Sequence, residues 1–427
     1  MRRKFFIAAG TALALTALTA CGGGDDDNAS SGGGTTTLTY LTFETPSLTS
    51  TFWNGSIAAA EKDVPGVKIK RITAPSTDRD GYAKQLQASG QFPDLLQSIS
   101  PNNFAPAGLL KPFDDQWVDA NFLLPKGNAV GGKVYIPPTN SQVIPLVFYN
   151  KKLFAKAGAE VPKTWAEFMT ACARLKASGT TPLELGGADP FAASMPLVGL
   201  ISADVLGKNP AWITQRIAGT THFADPDVQA SVQKYRDLIK AGYFQKNALS
   251  VKYDDSIKDF TKGNTAMYPM GSWLLGSLPK ENVDDFGTFP WPTDDGSVVI
   301  PFSVGGSMAV SAKAPDVTKA IAFAKAWSLN PDNLKLLIET DGAFPMIKGK
   351  GLSDYGVTVS KAFTDSYALV TNKNTKVDAI GWVTNDNALP PGLNDEFYSM
   401  AQALFTKDDV AGALKSLDEK FDAAAKS

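Results

Sequence analysis

The stretch from Leu38 to Ser89 contains four ordered segments: LTYLTF (38–43), TFWNGSIAAAEK (51–62), VKIKRI (67–72) and RDGYAKQLQAS (79–89). The first and third are short and rich in β-prone residues, which is typical of strands. The second carries apolar residues at helical spacing, namely Phe52, Trp53, Ile57 and Ala60. Because strands and helices alternate, the stretch predicts an α/β fold in which a mainly parallel sheet is flanked by helices.

The rest of the chain continues this pattern. The segment TWAE (164–167) is a capping box, in which Thr164 caps a helix and Glu167 reaches back to it. The apolar face of that helix comprises Trp165, Phe168, Met169, Cys172 and Leu175. Cys172 is therefore expected in the core. A last helix is expected to begin near Thr406 and to bury Val410, Leu414, Leu417 and Phe421. Residues 37–427 show neither an internal repeat nor a linker, so two lobes would have to be connected by several crossings of the chain.

Composition and charge exclude several classes of protein. The chain has 427 residues, of which 44% are hydrophobic and 20% are charged, an ordinary balance for a globular protein. The formal net charge is -2 at pH 7, with 41 Lys and Arg against 43 Asp and Glu. Nucleic acid requires a basic face. We therefore expect no nucleic-acid partner.

The scarce residues exclude most catalytic chemistry. The chain has one histidine, His222, and two cysteines, Cys21 and Cys172. A zinc site of His and Cys needs three or four ligands, and a Ser-His-Asp hydrolase would have to use His222. The motifs CxxC, GxGxxG and GxxxxGK[ST] are absent from the sequence. We expect neither a metal nor a cofactor, and only enzymes that work with two carboxylates stay open.

The N-terminus is typical of a bacterial lipoprotein. A basic start, MRRK (1–4), precedes an apolar segment from Phe5 to Leu18, and LTAC (18–21) resembles a lipobox. Residues 1–20 would be the signal peptide, Cys21 would be cleaved free and lipidated, and residues 21–36 would form a flexible Gly, Asp, Ser and Thr tether. The alternative is an ordinary secretion signal with an incidental cysteine. We predict an extracytoplasmic protein that is anchored to the cell membrane through Cys21.

Several ordered segments together carry a resemblance to a known family. They are GKVYIP (132–137), VFYNKKLFAKAG (147–158), VPKTWAEF (161–168), FTKGNTAM (260–267), GSW (271–273), GG (305–306) before MAV (308–310), and GAFP (342–345). Their order and spacing are similar to those of extracellular solute-binding protein family 1. These are the maltose-binding-protein-like carbohydrate receptors of bacterial ABC importers, and the chain resembles their lipoprotein form.

The resemblance implies a two-lobed fold of the periplasmic-binding-protein type, with a ligand cleft between two α/β lobes. The N-terminal lobe would comprise residues 37–139 and 302–346, and the C-terminal lobe residues 140–301 and 347–427. The crossings would fall near Pro138–Ser141, Val299–Phe302 and Pro345–Gly349. Hinge closure around the ligand would let the membrane permease recognise the loaded form. The resemblance implies a monomeric receptor that is not an enzyme.

A sugar cleft combines polar side chains for the hydroxyl groups with aromatic rings for the C–H faces. The candidate ligand-binding residues are Phe43, Glu44, Ser98, Asn140, Asp189, Phe191, Trp273, Ser303, Trp382 and Asp395. Trp273 matches the tryptophan of the family's G.W motif, and its alternative is core packing beside Leu274 and Leu275. Trp382 has little local core to join. Glu44 and Asp395 have the alternative of solvated surface acids.

The placement of the other candidates comes from the strands and loops that precede them. Phe43-Glu44 ends the first strand and Gln97-Ser98 follows a strand predicted at Asp94–Leu96. Ligands of open sheets lie at the carboxyl ends of strands. Asp189-Pro190-Phe191 lies in a loop, Asn140 at the first crossing, and Ser303 ahead of the glycine pair.

The leading hypothesis is a receptor that binds a sugar or oligosaccharide and delivers it to an ABC permease. The same fold could instead bind a polyol, a glycerophosphodiester or a peptide. Arg71 and Arg79, which a phosphate ligand would favour, are expected on the surface of a strand and a helix. A secreted carbohydrate-active enzyme is the remaining class, but nothing marks a pair of carboxylates at the separation that glycosidases need.

Overall fold

The computed structural model describes residues 34–75 and 78–425. The predicted signal peptide, Cys21 and residues 22–33 of the tether lie outside these residues. From Thr35 onward the described residues belong to one compact unit with its own core. Within the described ranges, no helix is both long and apolar enough to cross a bilayer.

The strands of the described chain are numbered β1 to β13. They are β1 (Thr36–Phe43), β2 (Val67–Ala74), β3 (Leu95–Gln97), β4 (Leu110–Lys111), β5 (Asn140–Val143), β6 (Leu146–Asn150), β7 (Thr181–Leu183), β8 (Thr265–Met270), β9 (Phe286–Pro290), β10 (Val299–Gly305), β11 (Met308–Ser311), β12 (Phe344–Pro345) and β13 (Thr375–Asp378). The order of these strands along the chain, interrupted by helices, is that of an α/β fold.

The helices are numbered in the same way. They are α1 (Ser50–Asp63), α2 (Arg79–Ala88), α3 (Asp115–Asn121), α4 (Lys151–Ala157), α5 (Trp165–Ala177), α6 (Pro190–Ala193), α7 (Met195–Ile201), α8 (Trp212–Ile217), α9 (Pro226–Lys240), α10 (Tyr253–Thr261), α11 (Val317–Leu329), α12 (Pro331–Asp341), α13 (Lys361–Thr371), α14 (Leu393–Ala403) and α15 (Val410–Ala424). The segments predicted from residues 38–89 correspond to β1, α1, β2 and α2.

The first sheet has the strand order β2-β1-β3-β11-β4. Strands β2 and β3 pair with β1 in parallel, whereas β11 runs antiparallel to both β3 and β4. The parallel strands are joined by helices that cross over between them, as parallel pairing requires. Strand β11 follows β10 of the second sheet after only two residues, so no helical crossover fixes its direction.

The second sheet contains strands from four distant parts of the chain, in the order β12-β5-β10-β13. Asn140 and Ser141 of β5 pair with Pro345 and Phe344 of β12, and β10 lies on the other side of β5. The segments in which the sequence predicts crossings therefore contribute strands to this one sheet.

The third sheet has the order β7-β8-β6-β9. Only β7 and β8 are parallel, and β6 is antiparallel to both of its neighbours. The prediction of a mainly parallel sheet in each lobe is wrong for this sheet, which is mixed. Strand β6 follows directly from β5, so the chain reaches the third sheet without the helical crossover that would impose a parallel neighbour.

Local signals predict helix termini well where the cap is in the sequence. Thr164 accepts a hydrogen bond from the Glu167 backbone N–H at 3.2 Å, and the Glu167 carboxylate accepts one from the Thr164 N–H at 3.2 Å. Cys172 on this helix is fully buried, as expected. Helix α15 begins at Val410 and not near Thr406, because the Asp409 side chain caps it by accepting from the Gly412 N–H at 2.8 Å.

A buried acid on the third sheet makes stability depend on pH. Glu184 is 1% exposed, accepts from the Thr265 hydroxyl at 2.9 Å and also accepts from the Gln245 amide. Burial raises the pKa of its carboxyl group to about 7. Between the unfolded pKa of about 4.3 and this value, the folded chain retains a proton that the unfolded chain releases. The contribution of Glu184 to the free energy of unfolding is complete below its pKa in the unfolded chain. It is lost as the pH rises to its pKa in the folded chain.

We therefore expect the free energy of unfolding to fall by on the order of 3 kcal/mol from this group between pH 4.5 and pH 7. Denaturant unfolding across that range measures it. Glu184→Gln should flatten the profile, while Glu160→Gln, at an exposed position, should leave it unchanged. If the free energy of unfolding falls with pH as steeply in Glu184→Gln as in the wild type, Glu184 is not the source of the pH dependence.

Candidate functional site

Five aromatic side chains from separate segments lie together, and we call them the aromatic cluster. Its members are Phe191, Tyr253, Trp273, Trp382 and Tyr398. The ring centroids of Trp273 and Trp382 are 5.3 Å apart, and those of Trp382 and Tyr398 are 5.8 Å apart. Each of the five is only partly buried, whereas Trp53, Trp212, Trp291 and Trp327 are fully buried in the core. The aromatic cluster therefore has ring surface that the protein itself does not cover.

Trp273 is positioned by the end of the buried strand β8. Gly271 follows the strand, and the turn Ser272–Ser277 begins immediately after it. A Cβ atom at Gly271 would lie 2.1 Å from the Trp273 ring, so any larger residue would displace the indole. Leu274 and Leu275 are buried, but Trp273 keeps part of its surface accessible. The core-packing alternative thus fits its two neighbours and fits Trp273 only in part.

Trp382 is at the centre of the aromatic cluster. It contacts Trp273, Phe191 and Tyr398, so the rings around it come from distant parts of the chain and not from a local core. Its partners come from residues 191, 273 and 398, which sequence proximity does not reveal. Within the described part of the chain, the buried Trp382 Nε1 has no hydrogen-bond acceptor.

The turn at Gly381 sets the Trp382 ring against Tyr398. Gly381 has φ of 79°, a left-handed conformation that favours glycine. The Tyr398 hydroxyl donates to the Gly381 carbonyl at 2.6 Å, and the Ser303 hydroxyl donates to the Trp382 carbonyl at 3.0 Å. Ser303 is thus buried behind the cluster and holds its backbone.

Asp189 and Phe191 lie at the start of a short helix and not in a loop. Asp189 is the residue before α6, and Phe191 is the second residue of that helix. The Asp189 carboxylate accepts from the Tyr253 backbone N–H at 2.8 Å, and the rings of Phe191 and Tyr253 are 5.2 Å apart. Asp189 therefore ties α10 to α6 and positions two rings of the aromatic cluster.

Arg79, at the start of α2, lies over the end of β1. Its guanidinium is 4.4 Å from the centre of the Phe43 ring, and its Nε donates to the Ser98 carbonyl at 3.0 Å. Ser98 is exposed at the end of β3 and has φ of 50°, a left-handed conformation that is rare outside glycine. The prediction that Arg79 lies on a helix surface is wrong, because its side chain folds back over the sheet edge.

The Glu44 carboxylate already bonds other groups of the protein. It accepts from Ser50 at 2.6 Å and forms an ion pair with Arg71 at 2.8 Å. The hydrogen bond from Ser50, followed by that from Arg71, lowers the pKa of Glu44. Arg71 is accordingly only partly exposed on the edge strand β2.

Asn140 is buried in the second sheet. It is the first residue of β5, pairs with Gly305 of β10 and is 8% exposed. Its Oδ1 would lie 2.6 Å from a Cβ atom at Gly305, so a glycine there leaves room for the amide. Asn140 and Ser303 lie on the neighbouring strands β5 and β10, and neither is one of the rings of the aromatic cluster.

Electrostatic interactions connect α2 with α14 and α12. Burial raises the pKa of Asp341, the last residue of α12, to about 7, against the opposing effect of Arg79. Burial also raises the pKa of Tyr398, with a contribution from Asp395 and an opposing one from Arg79. Asp395 is exposed in the first turn of α14, and partial desolvation followed by the charge of Asp78 raises its pKa. Arg79 thus influences the titration of groups on both α12 and α14.

The sequence points to Phe191, Trp273 and Trp382 but not to Tyr253, Tyr398 or Asp341, and it predicts Arg79 on the surface of a helix. The Asp395 candidate lies one helical turn before Tyr398 on the same helix. No spacing in the sequence connects Arg79 with Asp341, which are separated by most of the chain. Among residues 34–75 and 78–425, no three His, Cys, Asp or Glu side chains are grouped as metal ligands would be.

Comparisons with known proteins match most of the chain. The family model described as bacterial extracellular solute-binding protein matches residues 45–334. The multiple sugar-binding protein of Streptococcus mutans is 24% identical over 303 residues, covering 68% of this chain and 70% of that protein.

Solved structures show the same fold. A chitin oligosaccharide binding protein has a TM-score of 0.80 and 25% identity, with 92% of this chain and 100% of that chain covered. RafE in complex with raffinose has a TM-score of 0.73 and 21% identity over 92% of this chain and 100% of that chain. The architecture is therefore the two-lobed α/β fold of the periplasmic binding proteins.

Proposed function

The chain belongs to the bacterial extracellular solute-binding proteins, and on that premise we propose that it captures a sugar or oligosaccharide and delivers it to the permease of an ABC importer. Members of this family are extracytoplasmic receptors and not enzymes. In the proposed cycle the two lobes close on the ligand by a hinge motion, and the closed form docks on the membrane subunits. The receptor would act as a monomer.

The aromatic cluster is the observation that carries the sugar assignment. The C–H face of a pyranose packs on an aromatic ring, while its hydroxyl groups need donors and acceptors at the edge. Trp273 and Trp382 provide adjoining partly exposed rings. A cluster of this composition suits a ligand with alternating apolar and polar surface.

The proposed N-terminal lobe comprises residues 37–139 and 302–346, and the proposed C-terminal lobe residues 140–301 and 347–427. The distribution of strands supports this division, because the first sheet uses strands of the former and the third sheet strands of the latter. The second sheet contains the segments proposed as crossings. All members of the aromatic cluster then come from the C-terminal lobe, with Phe43, Arg79, Ser98 and Asp341 on the N-terminal lobe.

The ten candidates of the sequence do not have equal support as ligand-binding residues. Phe191, Trp273 and Trp382 belong to the aromatic cluster, Phe43 and Ser98 contact Arg79, and Asp395 lies one helical turn from Tyr398. Ser303 and Asp189 hold the backbone of the cluster, Asn140 is buried in the second sheet, and Glu44 is paired with Arg71. We propose the first six as ligand-facing and the other four as supporting residues.

A thermal-shift screen on the chain from Thr35 onward tests the function. Chito-oligosaccharides, raffinose, monosaccharides and disaccharides are the sugar arm, because similar proteins bind the first two. A ligand at 100 times its dissociation constant should add about 2.7 kcal/mol to the free energy of unfolding. If none of the sugars raises the unfolding temperature and a non-sugar solute does, the sugar assignment is overturned.

A non-sugar solute is the second candidate. Arg79 is the observation that favours it, because a guanidinium at the site can pair with a phosphate. The same screen should therefore include glycerol, glycerophosphocholine and a short peptide. Arg79 already stacks on Phe43 and donates to Ser98, which gives it a supporting role without such a ligand.

The lipid anchor is a further proposal, supported by the LTAC sequence and the tether after it. Cys21→Ser is expected to move the protein from the membrane fraction to the soluble fraction or to block its maturation, because the thiol is the site of acylation. Cell fractionation followed by immunoblotting measures the shift. Cys172→Ser is the matched control, since its buried thiol lies in the core and should leave the fractionation unchanged. Firm membrane association of the Cys21→Ser protein would contradict the anchor.

A further inference from the structure

The loop between β13 and α14 contains a segment with bonds in two directions, and we call Thr384–Asn387 the latch segment. One end is fixed to the proposed C-terminal lobe. The Asn387 Oδ1 accepts from the Thr214 hydroxyl of α8 at 2.9 Å, and its Nδ2 donates to Asp378 at the end of β13 at 2.7 Å. The segment therefore moves with the lobe that carries the aromatic cluster.

The other bonds of the latch segment reach residues of the proposed N-terminal lobe. The Asn102 Nδ2 donates to the carbonyl oxygens of Thr384 and Asn385, at 3.3 Å and 3.1 Å. The Asp386 carboxylate accepts from the Gly131 backbone N–H at 2.8 Å. The Asn385 Nδ2 donates to the Gly127 carbonyl at 3.4 Å. Two separate parts of the N-terminal lobe thus contact one short segment.

We propose that the latch segment holds the two lobes in the closed conformation and thereby sets the lifetime of the ligand complex. This inference rests on the proposed function only for its two-lobed hinge. Bonds that join the lobes outside the second sheet break when a hinge opens, whereas bonds within a lobe persist. Asn102 and Asp386 therefore act through the closed state and not by touching the ligand.

The latch segment and the turn that faces it have local conformations that do not depend on the opposite lobe. The Asn385 Oδ1 accepts from the Asn387 backbone N–H at 2.9 Å, a local turn that does not depend on the opposite lobe. On the facing side, Gly131 and Gly132 both have positive φ, at 56° and 75°, in the turn that presents the Gly131 N–H. Rigid partners lose little conformational entropy on contact.

The strength of such bonds suits a reversible closure. In the open form each of these donors and acceptors bonds water instead, so a single hydrogen bond contributes little net free energy to closure. A bond to a charged group contributes more. Removal of the Asn102 and Asp386 side-chain bonds together should shift the closed-to-open ratio about tenfold toward the open form. Trp382 lies two residues before the latch segment, which places the contact across the lobes next to the ligand site.

The test is the double variant Asn102→Ala with Asp386→Ala, in the chain from Thr35 onward. Dyes on Gln87→Cys in α2 and Lys407→Cys after α14, both exposed positions, report the lobe separation by single-molecule energy transfer. Lys84→Ala is the matched control, because Lys84 bonds Asn103 at 3.1 Å within the N-terminal lobe. Thermal unfolding verifies that each variant is folded.

We expect the closed-to-open ratio of the empty protein to fall about tenfold in the double variant and to be unchanged in the control. The dissociation rate of a sugar found in the screen should rise by a similar factor. An unchanged ratio, or an equal fall in the control, would overturn the latch. The empty-protein measurement needs no ligand, so a failed sugar screen counts against the proposed function while the ratio still decides the latch.

Discussion

Trp273→Ala is expected to weaken sugar binding by about 30- to 70-fold. A sugar ring stacked on the indole would cover roughly 80 to 100 Å² of its surface, which at ~25 cal/mol per Å² is about 2 to 2.5 kcal/mol. Every 1.4 kcal/mol changes a dissociation constant tenfold. Isothermal titration calorimetry with the sugar found in the screen measures the loss.

The stability of the empty variant separates a ligand-facing residue from a core residue. Truncation of a fully buried tryptophan costs about 3 to 5 kcal/mol, and Trp273 should lose less because part of its ring is accessible. Trp165→Ala is the matched control, since this partly buried ring stacks on Phe168 at 5.4 Å and on Lys234, away from the aromatic cluster. The control should bind sugar normally. Near-wild-type affinity of Trp273→Ala would remove Trp273 from the site.

Gly271→Ala perturbs the same indole without removing it. Gly271 has φ of -62°, which alanine adopts readily, so the effect is steric and not conformational. The added Cβ atom would lie 2.1 Å from the Trp273 ring and would force it to move. Weaker binding with a cooperative unfolding transition is the expected result. If Gly271→Ala binds normally while Trp273→Ala does not, the position of the ring is less important than its presence.

Asp418→Ala should destabilise the protein by about 3 to 5 kcal/mol, because it removes the principal partner of a buried cation. Arg216 is 1% exposed, and its guanidinium donates to Asp418 at 3.0 Å. The other Asp418 contacts are the backbone N–H groups of Phe223 and Ala224, each at 2.8 Å. The substitution thus leaves the Arg216 charge and two backbone amides without this acceptor.

Chemical denaturation of the Asp418→Ala variant measures the loss. Asp365→Ala is the control, because Asp365 pairs with Lys361 on the surface of α13, where an ion pair contributes at most about 1 kcal/mol. Arg216 retains Asp422 at 2.7 Å, a partner that is half exposed and can follow the guanidinium. A loss no larger than that of Asp365→Ala would show that Asp422 replaces Asp418 completely.

Local features of the fold could be predicted from the sequence more fully than contacts between distant residues. The capping box at Thr164 and the apolar helix face that contains Cys172 each depend on residues close together in the sequence. The structure confirms both. The start of α15 was placed too early, because Asp409 competes with earlier polar residues as the cap and only the packed helix shows which one is used.

The aromatic cluster shows where sequence reasoning ends. Phe191, Trp273 and Trp382 were named singly, the first two from a family resemblance and the third because it has no local core. Their contacts with Tyr253 and Tyr398 involve five segments on different helices and turns. Such contacts depend on the packing of the whole lobe, which no local propensity encodes.

The sequence by itself determined the α/β alternation, the family, the helix caps and the order of segments, because these follow from side-chain periodicity and local hydrogen bonds. Only the tertiary structure decided the antiparallel direction of β6, the contact of Arg79 with Phe43, and the bonds of the latch segment with Asn102 and Gly131. These features join residues that are far apart in the chain. Their geometry is fixed by burial and by the satisfaction of distant polar groups, which act only once the chain has folded.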